Sequence, residues 1–486
     1  MPNPDLFGWD TVFALPLAAF NLTLASPAVP APMQYSFAAS GHGPADHDLA
    51  WSFGPWQVED ATGAQFTLTS QLLQASLTGA TGACDLSGGL CRVTANLVMK
   101  ATSDADPAEA PSPEAPAEGE PWAVVDLEAP QTADFASSLI AQQGLAAWFA
   151  TQAASKAFDA IFAGLQVRTA DRAQAAKLKV LASRLAGATL PDQSQAIAVL
   201  ARTATDSVTG CPLELSPFAL PPKAGAVFLI SAERLLATMI APALPHVFGS
   251  TPGDAASDFP VLDDCRIRNT TPLSFPVTTA DGKIYQAAIA AEDLCVEVAD
   301  DVIVITLQMS FGIQLGALPL ETITIRTVER LKASLVSPPD DPDHLVLALA
   351  QATDPVAEYD TEESLWAIGG EALVTVVASI VAALILKFVP GGISARFGLS
   401  MISARIWAAV LAGVAEAIGS AISHLPDFMA SVTTSDLKSL PAFSQLIDQA
   451  LADIEWPTPQ LFAVESVELA GCLRVGLKQQ TIPNPK

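Results

Sequence analysis

The stretch GWDTVFAL at residues 8–15 is a short β-branched and aromatic segment, and an apolar run follows it directly. A related pattern returns at residues 227–230, where VFLI leads into SAERLL and a second apolar run. Each pattern predicts a strand that feeds a helix, and Ser231 is a suitable N-cap for the second helix. The sequence therefore predicts one architectural unit used twice, over residues 1–215 and 216–486.

The composition contains more apolar residues than two ordinary cores need. Half of the 486 residues are hydrophobic and only 15% are charged, whereas an average soluble protein has about 25% charged residues. The surplus lines a cavity, packs against a partner or meets a membrane.

The net charge limits the classes of molecule that the chain is expected to bind. With 24 basic and 51 acidic residues, the chain has a formal charge of -27. A field of this sign repels nucleic-acid phosphates and anionic lipid headgroups, so we expect no nucleic-acid partner and no polybasic membrane anchor. The same acidity is also explained by solubility alone.

The chain lacks the features of a Sec signal peptide and of a zinc site. No Lys or Arg precedes Arg92, so the basic region of a signal peptide is missing and residues 12–28 are predicted to belong to the fold. This leaves a cytoplasmic location and release by another route both open. The six cysteines contain no C-x-x-C pair, and disulfides between Cys84 and Cys91 or between Cys265 and Cys295 are left open.

The first half of the chain is predicted to contain strands followed by helix. Alternation predicts strands over residues 50–59, 64–78 and 90–101, and again after residue 122. Residues 104–121 are rich in Pro, Ala and Glu, and they predict a mobile loop that is removable with little loss of stability. Residues 133–204 are predicted to be mainly helical, with basic residues on a solvated helix face.

Six aromatic and aliphatic residues in this stretch are candidate lipid-binding residues. Their spacing is roughly helical, which is typical of a core helix, and a helix that lines a ligand site is the alternative. The six are Phe135, Leu139, Trp148, Phe149, Phe158 and Phe162. Strands from residues 50–128 are predicted to wrap around this helix.

The second half is predicted to be rich in strands over residues 259–335, with an apolar helical hairpin over 361–424 and a helix and strands at the end. A membrane-spanning helix needs about 20 apolar residues, and residues 372–386 fall short, so no transmembrane helix is predicted. A buried hairpin and a membrane-interactive hairpin both stay open, with Ala383 as a further candidate lipid-binding residue. Arg405 and Glu416 are expected on its outer face or edge.

Sequence motifs of catalysis and of metal or cofactor binding are missing. The chain contains no G-x-S-x-G, Walker A, H-E-x-x-H or G-x-G-x-x-G pattern. We therefore expect no enzyme activity, no catalytic residues, no metal site and no cofactor.

Three segments in order resemble a known family: GWDTVF at 8–13, FGPWQV at 53–58, and the region after residue 455. A weaker match covers residues 227–231. The segments resemble the forty-seven-kilodalton protein family of clostridial neurotoxin gene clusters, with its OrfX-type relatives. The residues that carry the resemblance, each with an expected structural role, are Trp9, Asp10, Phe13, Trp56, Phe228, Trp456 and Pro457.

This resemblance implies an α+β fold of the tubular lipid-binding (TULIP) superfamily, elongated, with long curved antiparallel sheets wrapped around long helices. Non-enzymatic binding of lipid or another apolar ligand in a tubular groove is then the implied function. The alternatives are an interaction component of a toxin-type assembly with a closed core, whose partners are other proteins of a toxin gene cluster, and a membrane-inserting protein. Ordered segments across nearly the whole chain carry the resemblance.

Overall fold

A computed structural model provides the structure of the chain. It describes residues 2–24, 33–38, 46–79, 82–102, 108–114, 123–151, 161–162, 164–170, 178–248, 255–262, 265–314, 321–360, 366–385, 399–418, 438, 440–455 and 461–480. Two compact units are present. The N-terminal unit comprises Asp5–Phe228, Ala450–Ala463 and Leu477–Lys486, and the C-terminal unit comprises Met1–Pro4, Leu229–Gln449 and Val464–Gly476.

In the described part of the chain up to residue 202, the bounded elements are mostly strands. In chain order they are β1 (Thr11–Pro16), α1 (Leu17–Leu24), β2 (Met33–Ala38), β3 (Asp46–Phe53), β4 (Gln57–Thr62), β5 (Gln65–Gly79), β6 (Gly82–Asp85), β7 (Leu90–Ala101), β8 (Ala108–Pro113), β9 (Ala123–Glu128), α2 (Phe135–Phe149), β10 (Gln166–Arg168), β11 (Ala182–Thr189) and β12 (Gln195–Arg202).

The later elements begin with β13 (Ala226–Ser231) and the irregular helix α3, which is built from Ala232–Leu235, Leu236–Ile240, Ala241–Ala243 and Leu244–Phe248. There follow α4 (Ala255–Asp258), β14 (Val261–Leu262), β15 (Arg266–Arg268), β16 (Leu273–Thr278), β17 (Ile284–Ile289), β18 (Leu294–Ala299), β19 (Val302–Ile313), β20 (Glu321–Val336), β21 (Val346–Gln351) and β22 (Val356–Asp360). The last are α5 (Trp366–Ile385), α6 (Met401–Ala417), α7 (Phe443–Leu451), β23 (Ile454–Glu455), β24 (Leu461–Leu469) and β25 (Cys472–Gln480).

The described strands form three sheets. A ten-stranded sheet has the path β2-β3-β5-β7-β8-β10-β23, with β4 and β6 on β5 and β9 on β7. A nine-stranded sheet has the path β14-β15-β18-β19-β17-β16, with β20 on β19 and both β21 and β22 on β20. The third has the order β11-β12-β1-β13-β25-β24. The prediction of antiparallel sheets accompanied by helices is confirmed at this level.

Both predicted strand–helix entries are present. β1 continues into α1, and β13 continues into α3. The Ser231 hydroxyl accepts a hydrogen bond from the Arg234 N–H at 3.1 Å, as its predicted N-cap role requires. The division predicted between residues 215 and 216 stays a prediction. Residues 450–463 and 477–486 belong to the N-terminal unit rather than to the second predicted unit. In the first of these segments, β23 pairs with β10.

The expected mobile loop at 104–121 is wrong for residues 108–113, which form β8 between β7 and β10. Thr102 N donates to the Ala108 carbonyl at 2.9 Å, and Glu114 N donates to the Asn96 carbonyl at 2.8 Å. The backbone N–H and C=O groups of the even-numbered residues of β8 therefore point towards β7. Pro111 and Pro113 are odd-numbered, so their missing N–H groups lie on the other side, where β10 reaches only Ala108 and Glu109.

The predicted helix over residues 133–204 is wrong for residues 166–168 and 182–202, which are strands, whereas residues 152–160 lie outside the described residues. α2 ends at Phe149, and residues 182–202 form the antiparallel pair β11 and β12, with β1 on the other side of β12. Residues 171–177, part of the predicted basic helix face, lie outside the described residues. The alanines of β11 and β12 favour helix by intrinsic propensity, but pairing with β1 overrides a preference of a few tenths of a kcal/mol per residue. Gly187 suits this position, because an added Cβ there would overlap Ala61.

The predicted apolar hairpin corresponds to α5 and α6, and the two helices differ in burial. Nearly every residue of α6 is buried, whereas Val374 and Ala378 of α5 are exposed. Glu416 is exposed, as expected, and Arg405 is half-buried with its guanidinium carbon 4.8 Å from the centre of the Phe275 ring. Within the described residues, no helix is long and apolar enough to cross a membrane.

Cys84, Cys91, Cys211 and Cys472 are free thiols. Cys91 and Cys472 are buried, and burial raises the pKa of each to about 12. Neither is therefore a thiolate near neutral pH.

Candidate apolar ligand site

The candidate site centres on α2, whose start is set by Asp134. The Asp134 carboxylate accepts hydrogen bonds from the Ser137 N–H at 2.9 Å and from the Ser137 hydroxyl at 2.7 Å. These bonds satisfy a donor of the first helical turn. The fifteen residues of α2 include no charged side chain.

One face of α2 is fully packed. Its buried residues are Ala141, Gly144, Leu145, Trp148 and Phe149. At Gly144 an added Cβ would overlap the ring of Phe37 on β2, so only glycine permits this close approach. The Gln142 amide also donates to the Val125 carbonyl of β9 at 3.1 Å. α2 is therefore held against β2 and β9 by both packing and a hydrogen bond.

Five aromatic side chains pack together at the C-terminal end of α2. They are Trp51, Phe53, Trp56, Trp148 and Phe149, and we call them the aromatic cluster. Trp51 and Trp148 meet edge to face with ring centres 5.1 Å apart, and Phe53 and Trp56 lie 4.8 Å apart. Such pairs each contribute about 0.5–1.5 kcal/mol beyond simple burial. The cluster joins β3 and the following turn to the last turn of the helix.

The opposite face of α2 leaves two large apolar side chains in water. Phe135 is 83% exposed and Leu139 is 38% exposed. They are four residues apart, so they lie on the same side of the helix, one turn above the other. We call this pair the exposed face of α2.

The other candidate residues are scattered. Phe162 is completely buried, Ala383 is half-buried on α5, and Phe158 lies outside the described residues. Of the predicted lipid-binding residues in the described part of the chain, Phe135 and Leu139 are the exposed ones. The lipid-binding role of the whole set stays a prediction.

The sequence motif at residues 8–13 holds a loop in place. The Asp10 carboxylate is buried and accepts the backbone N–H groups of Thr203 and Ala204 at 2.6 and 2.8 Å. The Trp9 indole N–H donates to the Pro212 carbonyl at 2.9 Å. Both side chains therefore act on the segment that follows β12. Their geometry fits the structural role that the resemblance implies.

The remaining motif residues described by the structure are also in the core. Phe13 meets Phe462 edge to face at 5.2 Å between ring centres. Trp56 belongs to the aromatic cluster, and Phe228 is buried within β13. Trp456 and Pro457 lie outside the described residues.

Sequence reasoning missed a buried polar cluster in the C-terminal unit. Glu329 of β20 is 1% exposed, and its carboxylate accepts hydrogen bonds from the Ser400 hydroxyl at 2.6 and 2.7 Å and from the Ser403 hydroxyl. Ser400 is also the N-cap of α6. Burial raises the pKa of Glu329, and the hydrogen bonds from the two serines oppose that rise. A glutamate among the buried and mostly apolar odd-numbered positions of β20 was the available signal.

The described residues contain no group of three or more His, Cys, Asp or Glu side chains placed to hold a metal ion.

Comparison with known proteins identifies the family. The family model described as OrfX-like, protein OrfX2/OrfX3/P47, matches residues 6–477. The chain belongs to the OrfX2/OrfX3/P47 family. No protein of curated function matches this family member.

Solved structures agree with this membership. P47 from Clostridium botulinum A2 matches with a TM-score of 0.63 and 11% identity, over 98% of each chain. P47 of Clostridium botulinum E1 matches with a TM-score of 0.58 and 11% identity, over 98% of this family member and 99% of that chain. At this identity the likeness shows the fold alone. A lipopolysaccharide binding protein also aligns over 98% of this chain, but its TM-score of 0.23 carries no argument.

Proposed function

We propose that this OrfX2/OrfX3/P47 family member binds a lipid or another apolar molecule, without catalysis, at the exposed face of α2. One observation carries the proposal. Phe135 and Leu139 stay in water on an uncharged helix whose other face is fully packed. Removing such side chains from water contributes about 25 cal/mol for each Å² buried, so an apolar ligand gains free energy there.

The implied fold supports the kind of ligand by analogy and not the position of the site, because the exposed face of α2 points away from the sheet. The TULIP fold that the sequence resemblance implies places a long helix against a curved antiparallel sheet beside an apolar groove. Here α2 packs on β2 and β9 of an antiparallel sheet. We extend the proposal to a TULIP-like architecture for each unit, and a fold-level analogy of this kind supports a function only together with a site.

A titration with a neutral fluorescent lipid tests the proposed function. The probe is a nitrobenzoxadiazole-labelled monoacylglycerol, and the variant is Phe135→Ser combined with Leu139→Ser. We expect the Kd to rise at least about tenfold, because two apolar contacts worth about 1.4 kcal/mol together are lost.

Val124→Ser is the matched control. Val124 is 70% exposed, and it points from β9 on the face opposite to the buried residues of that strand. The control should bind the probe as the parent does. Equal affinity of the parent and the double variant would contradict the site.

The aromatic cluster favours a second candidate, an interaction component of a toxin-type assembly whose core is closed by its own side chains. Its five rings already fill the contact between β3 and the end of α2. Under this function the parent chain would not bind the fluorescent lipid, and the partners would be other proteins of a toxin gene cluster.

A further inference from the structure

The buried carboxylate of Glu329 connects β20 to the start of α6. Its hydrogen-bond donors are the hydroxyls of Ser400, the N-cap of α6, and of Ser403 in the first turn of that helix. The Ser403 hydroxyl also lies 3.1 Å from Oε1 of Gln351, at the end of β21. These partners are neutral, so among the described residues no cation compensates the carboxylate when it ionises.

The elements packed around Glu329 supply no countercharge to its buried face. Ile305 of β19 lies directly opposite Glu329 in the strand register, and neither β19 nor β21 contains a charged or titratable residue. The charged residues of α6 are Arg405, whose guanidinium carbon lies 4.8 Å from the centre of the Phe275 ring, and Glu416, which is exposed. Ionisation of Glu329 is therefore favoured only when water reaches its carboxylate.

The later part of α6 is fixed by contacts that do not involve Glu329. The Trp407 indole N–H donates to the Leu347 carbonyl of β21 at 2.9 Å. At Gly413 an added Cβ would overlap the backbone of Met239 in α3, so the two helices touch there through their backbones. Since helix ends open at a lower free energy than packed helix centres, the first turn of α6 is the part that can move to admit water to Glu329.

We propose that Glu329 is a proton-dependent latch: its protonated carboxyl group holds the first turn of α6 closed on β20, and its ionisation opens that turn while the rest of the helix stays packed. Opening exposes Ile402 and Ile406, which are completely buried in the closed form. The latch lies within the C-terminal unit, so it goes beyond the lipid site proposed on α2 and does not depend on it.

The direction of the pH response follows from burial. Burial raises the pKa of Glu329 in the closed form above its ordinary value of 4.5, and the hydrogen bonds from the serines oppose that rise. In the open form the carboxyl group is hydrated and keeps its ordinary pKa. The open form therefore gains about tenfold in population for each pH unit above 4.5, until the raised pKa is passed and the gain levels off.

Hydrogen–deuterium exchange of the full chain, followed by mass spectrometry from pH 5 to pH 9, tests the latch. The rates are corrected for the intrinsic pH dependence of amide exchange. The reporters are the N–H groups of Ser403 and Ala404, which donate to the Ser400 hydroxyl and carbonyl at 3.0 Å each. Their protection should fall about tenfold for each pH unit until the raised pKa is passed, while residues 408–417 keep theirs.

Glu329→Gln supplies the matching variant, because a neutral amide of the same shape does not ionise. Its first turn should keep the same protection across the pH range. Glu358→Gln, on the exposed strand β22, is the control and should follow the parent.

Three results would each overturn the latch. The first is a parent whose protection at Ser403 and Ala404 does not change with pH. The second is a simultaneous loss of protection at these residues, at residues 408–417 and in β20, since that pattern reports unfolding of the whole unit. The third is a Glu329→Gln variant with the pH profile of the parent.

Discussion

At the residue scale, Glu329 shows how a single position departs from an otherwise regular pattern. Ile323, Ile325, Thr327 and Leu331 share its face of β20, and all are buried. In the described chain its carboxylate pairs with serine hydroxyls at the start of α6 and with no Lys or Arg. A buried carboxylate without a cation is costly to ionise, although the N-terminus of α6 and the hydroxyls offset part of that cost.

This arrangement predicts a pH dependence of stability. Burial raises the folded-state pKa of Glu329 above its value in the unfolded chain, so the folded state binds the proton more tightly. The contribution of Glu329 to the free energy of unfolding is therefore most favourable below its pKa in the unfolded chain, near 4.5. It is lost as the pH rises through the folded pKa.

Glu329→Gln mimics the protonated carboxyl group and should remove this loss. In denaturant titrations followed by tryptophan fluorescence, the variant should gain stability relative to the parent at pH 8 and change little at pH 4. The gain is about 1.4 kcal/mol for each unit by which burial raises the pKa. Glu358→Gln on the exposed strand β22 is the control, and it should leave the pH dependence of the unfolding free energy unchanged. If the unfolding free energy of Glu329→Gln depended on pH as that of the parent does, this account of Glu329 would be refuted.

At the element scale, the sequence predicts a strand best where one face alternates cleanly. β7 has the predicted bounds, 90–101, because Val93, Ala95, Leu97 and Met99 mark its buried face. β8 could not be predicted, because its prolines are typical of a loop. The prolines are tolerated because the positions at which they lack an N–H group face away from β7. β11 and β12 were hidden by their alanines, whose strand conformation depends on distant pairing with β1.

The exposed face of α2 could be predicted only in part. Helical spacing suggested a set of candidate residues along the predicted helix, but it could not separate the outer pair from the aromatic cluster. That separation depends on where β3 and β9 lie, and this is a tertiary property. Asp134 gave no sequence signal beyond its suitability as an N-cap.

β8 predicts a measurable contribution to stability. Replacement of residues 108–113 by a Gly-Ser segment of equal length should lower the Tm by about 5 °C or more. The replacement removes strand pairing on β7 and the burial of Ala108, Pro111 and Pro113, which together contribute ~2 kcal/mol. The same replacement at residues 205–210, a mostly exposed loop, should change the Tm by less than half as much. Equal effects at the two places would show that β8 does not contribute as a packed strand.

At the scale of the whole molecule, the fold is shared with P47 although the sequences have diverged. The chain shares 11% identity with the P47 structures yet aligns over 98% of its length. Ordered tryptophan, glycine and aspartate motifs predicted this membership, because they hold loops and core contacts that the fold requires. The net charge of -27 and the low fraction of charged residues are properties of this chain's own sequence. They direct the functional proposal towards apolar ligands without net negative charge.

Lipid mass spectrometry of the chain purified without detergent tests the central claim most directly. We expect a lipid without net negative charge to co-purify with the parent in a defined ratio. It should be depleted from the Phe135→Ser and Leu139→Ser double variant but not from Val124→Ser. A parent chain that carries no lipid, and acquires none from added phosphatidylcholine, would contradict the account and favour the interaction protein with a closed core.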